Sequence, residues 1–529
     1  MVCRKIPFDQ VGQFSAFDHL YAREHDSFKD LLAYMPDMDS IGKIVEARKK
    51  MAFDRKTIHS ILIDRYRENG ISGREELIDS LLDENTFTVV TAHQPYLFGG
   101  PLYFILKILS TVKLAAQAKD AYPQLNFVPV FYIGGEDHDL DECNHVTIFG
   151  KKVSWTTSQI GPVGRMTTDD LDTALNEVQE ILGSNENAQY LTSLLKQSYA
   201  PGTNINRAIS RFIDALLKDF PLLILDADSK IGKEAFKGII REEVMSGVAE
   251  SLIHPQQELM KNIGLKPQAF VRPINFFFYF SPEGRNRIER AGEGFEIINT
   301  SLHFTVEEME YEIDLYPERF SPNVVMRPLY EEFLLPNVAY VGGGGELAYW
   351  ADRKLLFEHF GVPMPLLVRR DSMMVLDGGS AKRMYKLGVH VADLFKEPNT
   401  LRAEFLARHA EGGISLSRES AQLSELIREI QAKVAGVDPS LKGFVGAETS
   451  VFFKTMAHIE ARLRKSLSAK HDVELQQLAS LQQKFFPDNG LQERIESFLS
   501  FFVREGNDFF RKIYECADPL DFQFKILEL

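Results

Sequence analysis

Phe87-Thr88-Val89-Val90-Thr91-Ala92, followed by His93-Gln94-Pro95-Tyr96-Leu97-Phe98-Gly99-Gly100-Pro101, is the stretch that decides the fold. Its β-prone first half runs into a turn with two glycines and a proline. LYFILKILSTVKLAAQAK then places Leu102, Ile105, Leu106 and Leu109 on one helix face, with Pro101 where a first-turn proline is tolerated. A second apolar run, Phe127 to Ile133, ends in GGEDHD. Strand, helix and strand within about 50 residues predict a right-handed βαβ unit.

The same grammar recurs outward from there. PLLILDAD, from Pro221 to Asp228, reads as a buried strand entering a helix at Ile231. Near Val338 a short strand enters GGGGE, then the helix ELAYWADRKLLFEHF, then the strand MPLLVRR. These separated pieces predict an α/β fold with one doubly wound parallel sheet. The core spans residues 1–385, interrupted by inserted modules at about 151–220 and 266–316. The first insert is polar and helical, and the second is hairpin-like, with a Pro-Glu-Gly turn. Residues 1–85 read as helical and charged, without chemistry. Long helical patterns over 386–500, broken by VDPSLKGF, predict two antiparallel helices of a coiled-coil arm, with an ordinary bundle as the alternative. The tail, 501–529, is expected to fold back onto the core.

The bulk composition narrows the class. The chain has 529 residues, 44% of them apolar, and a formal charge of −15 from 75 acidic and 60 basic side chains. Such a surface repels phosphate backbones and anionic lipid, so no nucleic-acid or membrane partner is expected. Cys3, Cys143 and Cys516 are few, odd in number and far apart, which argues for a reducing compartment without a disulfide framework. With no signal-like start and no apolar run of about 18 residues, a soluble cytoplasmic protein is expected.

Three segments carry candidate chemistry. In the first, free N–H groups at the Gly99–Gly100 helix start and the charge of Lys107 would attract an anion, with His93, Gln94 and Tyr103 beside them. In the second, Glu136, Asp137, His138 and Asp139 stand at the end of a buried strand, with Asn144 and His145 beyond. They would orient an amine and take its proton, and no metal site is expected because no ligand spacing occurs. In the third, Gly343 and Gly344 would permit unusual torsions, while Glu346 would contact an amine and Tyr349 follows on the same helix. Upstream, Arg327 would hold a carboxylate bidentately. An acidic cap, a plain Gly-Gly-Pro turn or a flexible loop are the bland alternatives. GxSxG, HExxH, CxxC and GxxxxGK[ST] are all missing. Cys143 reads as a small buried residue.

Together these segments resemble one family. TAHQPYLFGGPLYFILK resembles its TG(H/Q)Q…GLF-G-GPLY…K segment, and PVFYIGGEDHDLDECNHV its PVFW-GEDHD…NHV segment. RFSPNVVMRPLYEEFLLPNVAYVGGGGELAYWADRK is similar to its NV-RP…LP…GGPGE-YW segment. The family is that of the bacillithiol-biosynthesis cysteine-adding enzymes. The resemblance implies a Rossmann-like core related to nucleotidyltransferases and class I synthetases, with a C-terminal coiled coil that builds a homodimer. It also implies a ligase that joins L-cysteine to glucosaminyl-malate by an amide bond. A related nucleotidyl- or acyl-transferase with another amine acceptor is the alternative. Ala92 and Gly344 depart from a usual glycine and proline. No HxGH or KMSKS motif occurs, so the cofactor stays open, with ATP or ADP the candidate. On this reading Asp137, His138, Asp139 and His93 are catalytic. Gln94, Gly99, Gly100, Tyr103, Lys107, Glu136, Asn144, His145, Arg327, Gly343, Gly344, Glu346 and Tyr349 bind substrate.

Overall fold

The computed structural model describes residues 2–280, 284–410 and 415–529. They form two compact units, Met1–Val375 with Gly490–Leu529, and Leu376–Asn489.

The first unit is built on five parallel strands: β1 (Thr86–His93), β2 (Asn126–Ile133), β3 (Leu223–Asp226), β4 (Asn337–Gly342) and β5 (Leu366–Arg369). Their order across the sheet is β5-β4-β1-β2-β3. Every residue of β1 is buried, as a central strand covered on both faces requires. The register is continuous from Thr86 opposite Asn126 to His93 opposite Ile133. Helix α1 (Leu102–Ala121) crosses from β1 to β2. It is buried on nearly all sides rather than on one face, because its apolar side chains share a core with Phe498, Phe509 and Phe510 of the chain's end. Helix α2 (Lys230–Ser246) follows β3, helix α3 (Arg327–Leu334) precedes β4, and helix α4 (Gly344–Ala351) follows β4.

The insertions differ in character. Helices Asp172–Leu182, Glu186–Ser198 and Ile205–Leu216 bury their apolar faces in the same core as α1, so the first insert has no core of its own. The second forms an antiparallel sheet in which Phe276–Phe280 pairs with Gly284–Ala291. The expected Pro282-Glu283 part of its turn lies outside the described residues.

The first 85 residues are not purely helical. Val2–Pro7 is a strand paired antiparallel with Gln523–Glu528, which joins the chain's two ends. Its alternation was masked by charged residues at an exposed edge. The expectation of no disulfide is also corrected: Cys3 and Cys516 are bonded, with Cα atoms 5.8 Å apart. The strand pairing that brings them together acts across 513 residues of sequence, which spacing could not show.

In the second unit, helices Ser417–Val437 and Lys442–Lys470 are joined through the short turn Pro439–Leu441 and run antiparallel. The Leu416 amide donates to the Glu460 carboxylate at 3.3 Å, which ties the open end of the pair. The unit starts and ends earlier than the 386–500 expected for the arm, and residues 490–529 belong to the core unit. Among the described residues, no helix is long and apolar enough to cross a membrane.

Candidate active site

From β1 the chain builds outward to β2 and β3, then returns to place β4 on the other side of β1. The switch point therefore lies between the carboxyl ends of β1 and β4, where open α/β sheets bind ligands. Two cavities of about 610 and 760 Å³ open there, with His93, Gln94, Glu142 and Glu346 in the walls of both.

The first cavity has a basic side without carboxylate partners. Arg327, at the start of α3, donates to the Tyr349 hydroxyl at 2.7 Å. Arg285 donates to the Ser321 hydroxyl, the Pro322 carbonyl and the His138 ring, with its guanidinium 3.9 Å from the centre of the Phe277 ring. Arg272 lies 5.0 Å from the Phe270 ring. Among the described residues none of these three arginines has an ion-pair partner. Their charges are available to an anion.

The acidic side is more committed. Both Glu346 oxygens lie 2.7 Å from the buried Lys107 ammonium, and Tyr340 donates to one of them. Burial would raise the Glu346 carboxyl, but the Lys107 charge, with hydrogen bonds from Lys107 and Tyr340, outweighs it and holds it below its usual range. Glu136 takes the buried Lys233 ammonium at 2.7 Å. Asp137 accepts from Gln94 Nε2 and from the His138 and Asp139 amides, so it organises the GEDHD turn. Burial raises its carboxyl, and Arg285 with those hydrogen bonds reverses the sign. The Asp139 carboxylate, in the wall of the second cavity, accepts no hydrogen bond among the described residues.

Several expected roles change. The α1 start offers no free anion cradle: the Leu102 amide donates to the Glu496 carbonyl at 2.8 Å, and those of Gly99 and Gly100 close a turn. Gly99 and Gly100 are needed at positive φ and against Phe498 and Tyr96 instead. Lys107 holds Glu346 rather than an external anion. Gly343 and Gly344 keep negative φ, so the loop uses no unusual torsion. Gly344 is required by close approach, since a Cβ there would lie 2.2 Å from the Asp18 carboxylate. Asp18 in turn pairs with Arg369 at 2.6 Å.

The histidines are not free bases either. His93 is the last residue of β1, hydrogen-bonded to the Tyr103 hydroxyl at 3.0 Å and to the Gln94 carbonyl. Burial, with the Lys107 charge, pushes its pKa down to about 3, so it is neutral. His138 is lowered by burial and by Arg285, which occupies its Nδ1. Asn144 lies outside both cavities and bonds His145, which lines the second. Cys143 is buried, and burial with neighbouring carboxylates pushes its thiol well up.

The comparisons agree with this architecture. The family model described as "Bacillithiol biosynthesis BshC, N-terminal Rossmann-like domain" matches residues 1–371, and that of the BshC "C-terminal coiled-coil domain" matches 373–529. The chain belongs to the BshC family. Among BshC relatives, a Cytophaga hutchinsonii protein named "Putative cysteine ligase BshC" is 33% identical over 99% of this chain and 98% of its own. A protein of the same name from Christiangramia forsetii is also 33% identical, with 99% and 98% covered. A third, from Bacillus cytotoxicus, is 28% identical over 89% and 90%.

What the sequence did not reveal in this BshC site comes from the second insert and the chain's end. Arg272 and Arg285 flank the aromatic run INFFFYF, and Arg494 reaches the second cavity from the C-terminal segment. Two arginines beside an aromatic run in an insertion were the available signal. Asp228, bound by two Arg165 nitrogens at 2.6 and 2.7 Å, lines the first cavity.

Proposed function

We propose that this BshC protein is a ligase that forms the amide between the carboxyl of L-cysteine and the amine of glucosaminyl-malate, the last step of bacillithiol synthesis. The observation that carries the reading is one cavity with three arginines lacking carboxylate partners, opening onto a second lined by Asp139, Asp141 and Glu142. A dicarboxylate such as the malate group suits the first, because arginine forks pair with carboxylates. An ammonium suits the second.

In this reading Arg327 and Arg285 hold the malate carboxylates. Glu142, fixed by Gln94 at 2.9 Å, receives the cysteine ammonium at the shared wall. Asp139, with its free carboxylate, accepts the proton that the glucosamine amine loses when it attacks. Asp137 keeps the turn in place, and Lys107 keeps Glu346 ionised, so both act by positioning.

Amide formation from a free carboxylate is uphill, and ATP would supply the activation when bound. The α1 start does not fit its phosphates, since the Leu102 amide is taken. Arg272 does fit, being a cation at the wall of the first cavity without an ion-pair partner among the described residues. The relatives' names and the family descriptions support the ligase and bacillithiol parts of this reading. We also place the protein in the cytoplasm. It would form a homodimer through Leu426, Ile430, Phe444, Val451 and Phe452, exposed apolar residues on the paired helices.

Thiol profiling of a deletion strain by mass spectrometry tests the reading. Loss of bacillithiol with build-up of glucosaminyl-malate is expected. Unchanged bacillithiol would refute it.

A further inference from the structure

A third cavity, of about 360 Å³, lies at the opposite edge of the sheet and is lined by Arg48, Met51, Phe53, Arg55, Phe87 and Pro336, with Lys49 and Glu84 at its rim. Phe87 is the second residue of β1, and Pro336 directly precedes β4. The catalytic cavities sit at the other ends of these strands. From Phe87 to His93, at about 3.3 Å per residue, the separation is roughly 20 Å. The cavity is therefore independent of the site described above, and its size falls within the ~300–1,000 Å³ of small-molecule pockets.

Its chemistry is distinct. Arg48 is 4% exposed. It donates to the Glu332 and Pro363 carbonyls at 2.9 Å and pairs with the Glu332 carboxylate, yet its Nε has no partner. A buried donor without an acceptor is costly unless something else supplies one. Arg55 donates to the carbonyls of Leu81, Thr86 and Glu84, at 2.8, 2.9 and 3.1 Å, and none of these partners is a carboxylate. Its guanidinium stands 5.8 Å from the Phe53 ring and 5.9 Å from the Phe87 ring. Lys49 is exposed and has no ion-pair partner among the described residues. With Glu332 set against Arg48, and Glu84 against one of Lys49 and Arg55, one positive charge remains. The rest of the wall is aromatic ring, thioether and proline.

We propose that this cavity is a second ligand site, for a small carboxylate that carries a flat apolar ring. The ring packs between Phe53, Phe87, Met51 and Pro336, and the carboxylate takes Lys49, with the Arg48 and Arg55 guanidiniums in the same wall. Helix α3 carries Arg327 at its start and Glu332 near its end, so the ligand is held one helix away from the catalytic cavity.

The test uses the full chain and phenylacetate as probe, followed by saturation-transfer NMR and titration calorimetry, with uncharged phenylacetamide as control. Saturable phenylacetate binding is expected, with phenylacetamide at least about tenfold weaker. Met51→Trp, which fills the cavity, abolishes binding, and Lys49→Glu weakens it by about tenfold. Lys49 is exposed, so that variant stays informative even if Met51→Trp fails to fold. Arg327→Ala leaves the binding unchanged. Binding lost in Arg327→Ala but kept in Met51→Trp would mean that the probe sits in the catalytic cavity, and would overturn the proposal. Equal binding of phenylacetamide, or no saturable binding, would do the same.

Discussion

The Lys107 ammonium lies 2.7 Å from both carboxylate oxygens of Glu346, and Glu346 lines both cavities. Lys107 is 1% exposed and Glu346 24%. Removing one member of such a pair strands the other's charge, which costs about 3–5 kcal/mol. Lys107→Met is therefore expected to lose that much stability in denaturant unfolding. The double variant Lys107→Met with Glu346→Gln should lose clearly less than the sum of the two single losses. Additive losses would mean that the two side chains do not depend on each other.

His93 gives the protein an acid sensitivity whose sign is fixed. Its pKa falls from 6.5 to about 3 in the folded chain because of burial and the Lys107 charge. Between those values the unfolded chain binds the proton and the folded chain does not. The His93 contribution is thus fully present above pH 6.5 and is lost as the pH falls from there toward 3. The slope is at most about 1.4 kcal/mol per pH unit. His93→Gln, which can still meet the Tyr103 hydroxyl, should flatten the stability profile in this window. An unchanged profile would show that His93 titrates normally.

Much of this architecture was legible in the residues, and the gaps have physical causes. The five core strands were readable because a doubly covered parallel sheet leaves apolar runs such as Phe127 to Ile133. The sheet's carboxyl edge followed from where GEDHD and GGGGE interrupt those runs. What failed was the assignment of charges to ligands. Local sequence showed Lys107 near a helix start, but not that Glu346, 239 residues on, already neutralises it. Likewise the Gly99–Gly100 helix start seemed to offer free amides because Glu496, which takes that of Leu102, arrives from the chain's far end. Arg285 and Arg272 were hidden for the converse reason: they stand in an insert, and only folding points them into the core's cavity.

Arg327 separates binding from chemistry. Among the described residues its guanidinium makes one hydrogen bond, to the Tyr349 hydroxyl, and the side chain lines the first cavity. Arg327→Lys keeps the charge but removes the fork that grips a carboxylate with two parallel bonds. In steady-state assays with glucosaminyl-malate and cysteine, KM for glucosaminyl-malate should rise by about tenfold with kcat nearly unchanged. A fall in kcat at constant KM would place Arg327 at the reacting centre instead of the malate.

The bond between Cys3 and Cys516 closes the chain on itself beside the ladder of Val2–Pro7 and Gln523–Glu528. A native bridge typically contributes about 2–4 kcal/mol, largely by restricting the unfolded chain. Here the ladder already holds the two ends together, and Lys525 anchors its second strand through Asp371 and Asp521. Reduction should therefore lower the melting temperature without unfolding the protein. Melting with and without dithiothreitol checks this, with Cys3→Ser as the control. The reduced wild type and Cys3→Ser should melt together, below the oxidised protein, and the variant should ignore the reductant. If the reductant has no effect on the wild type either, the two thiols are not joined in solution, and the strand ladder alone holds the ends.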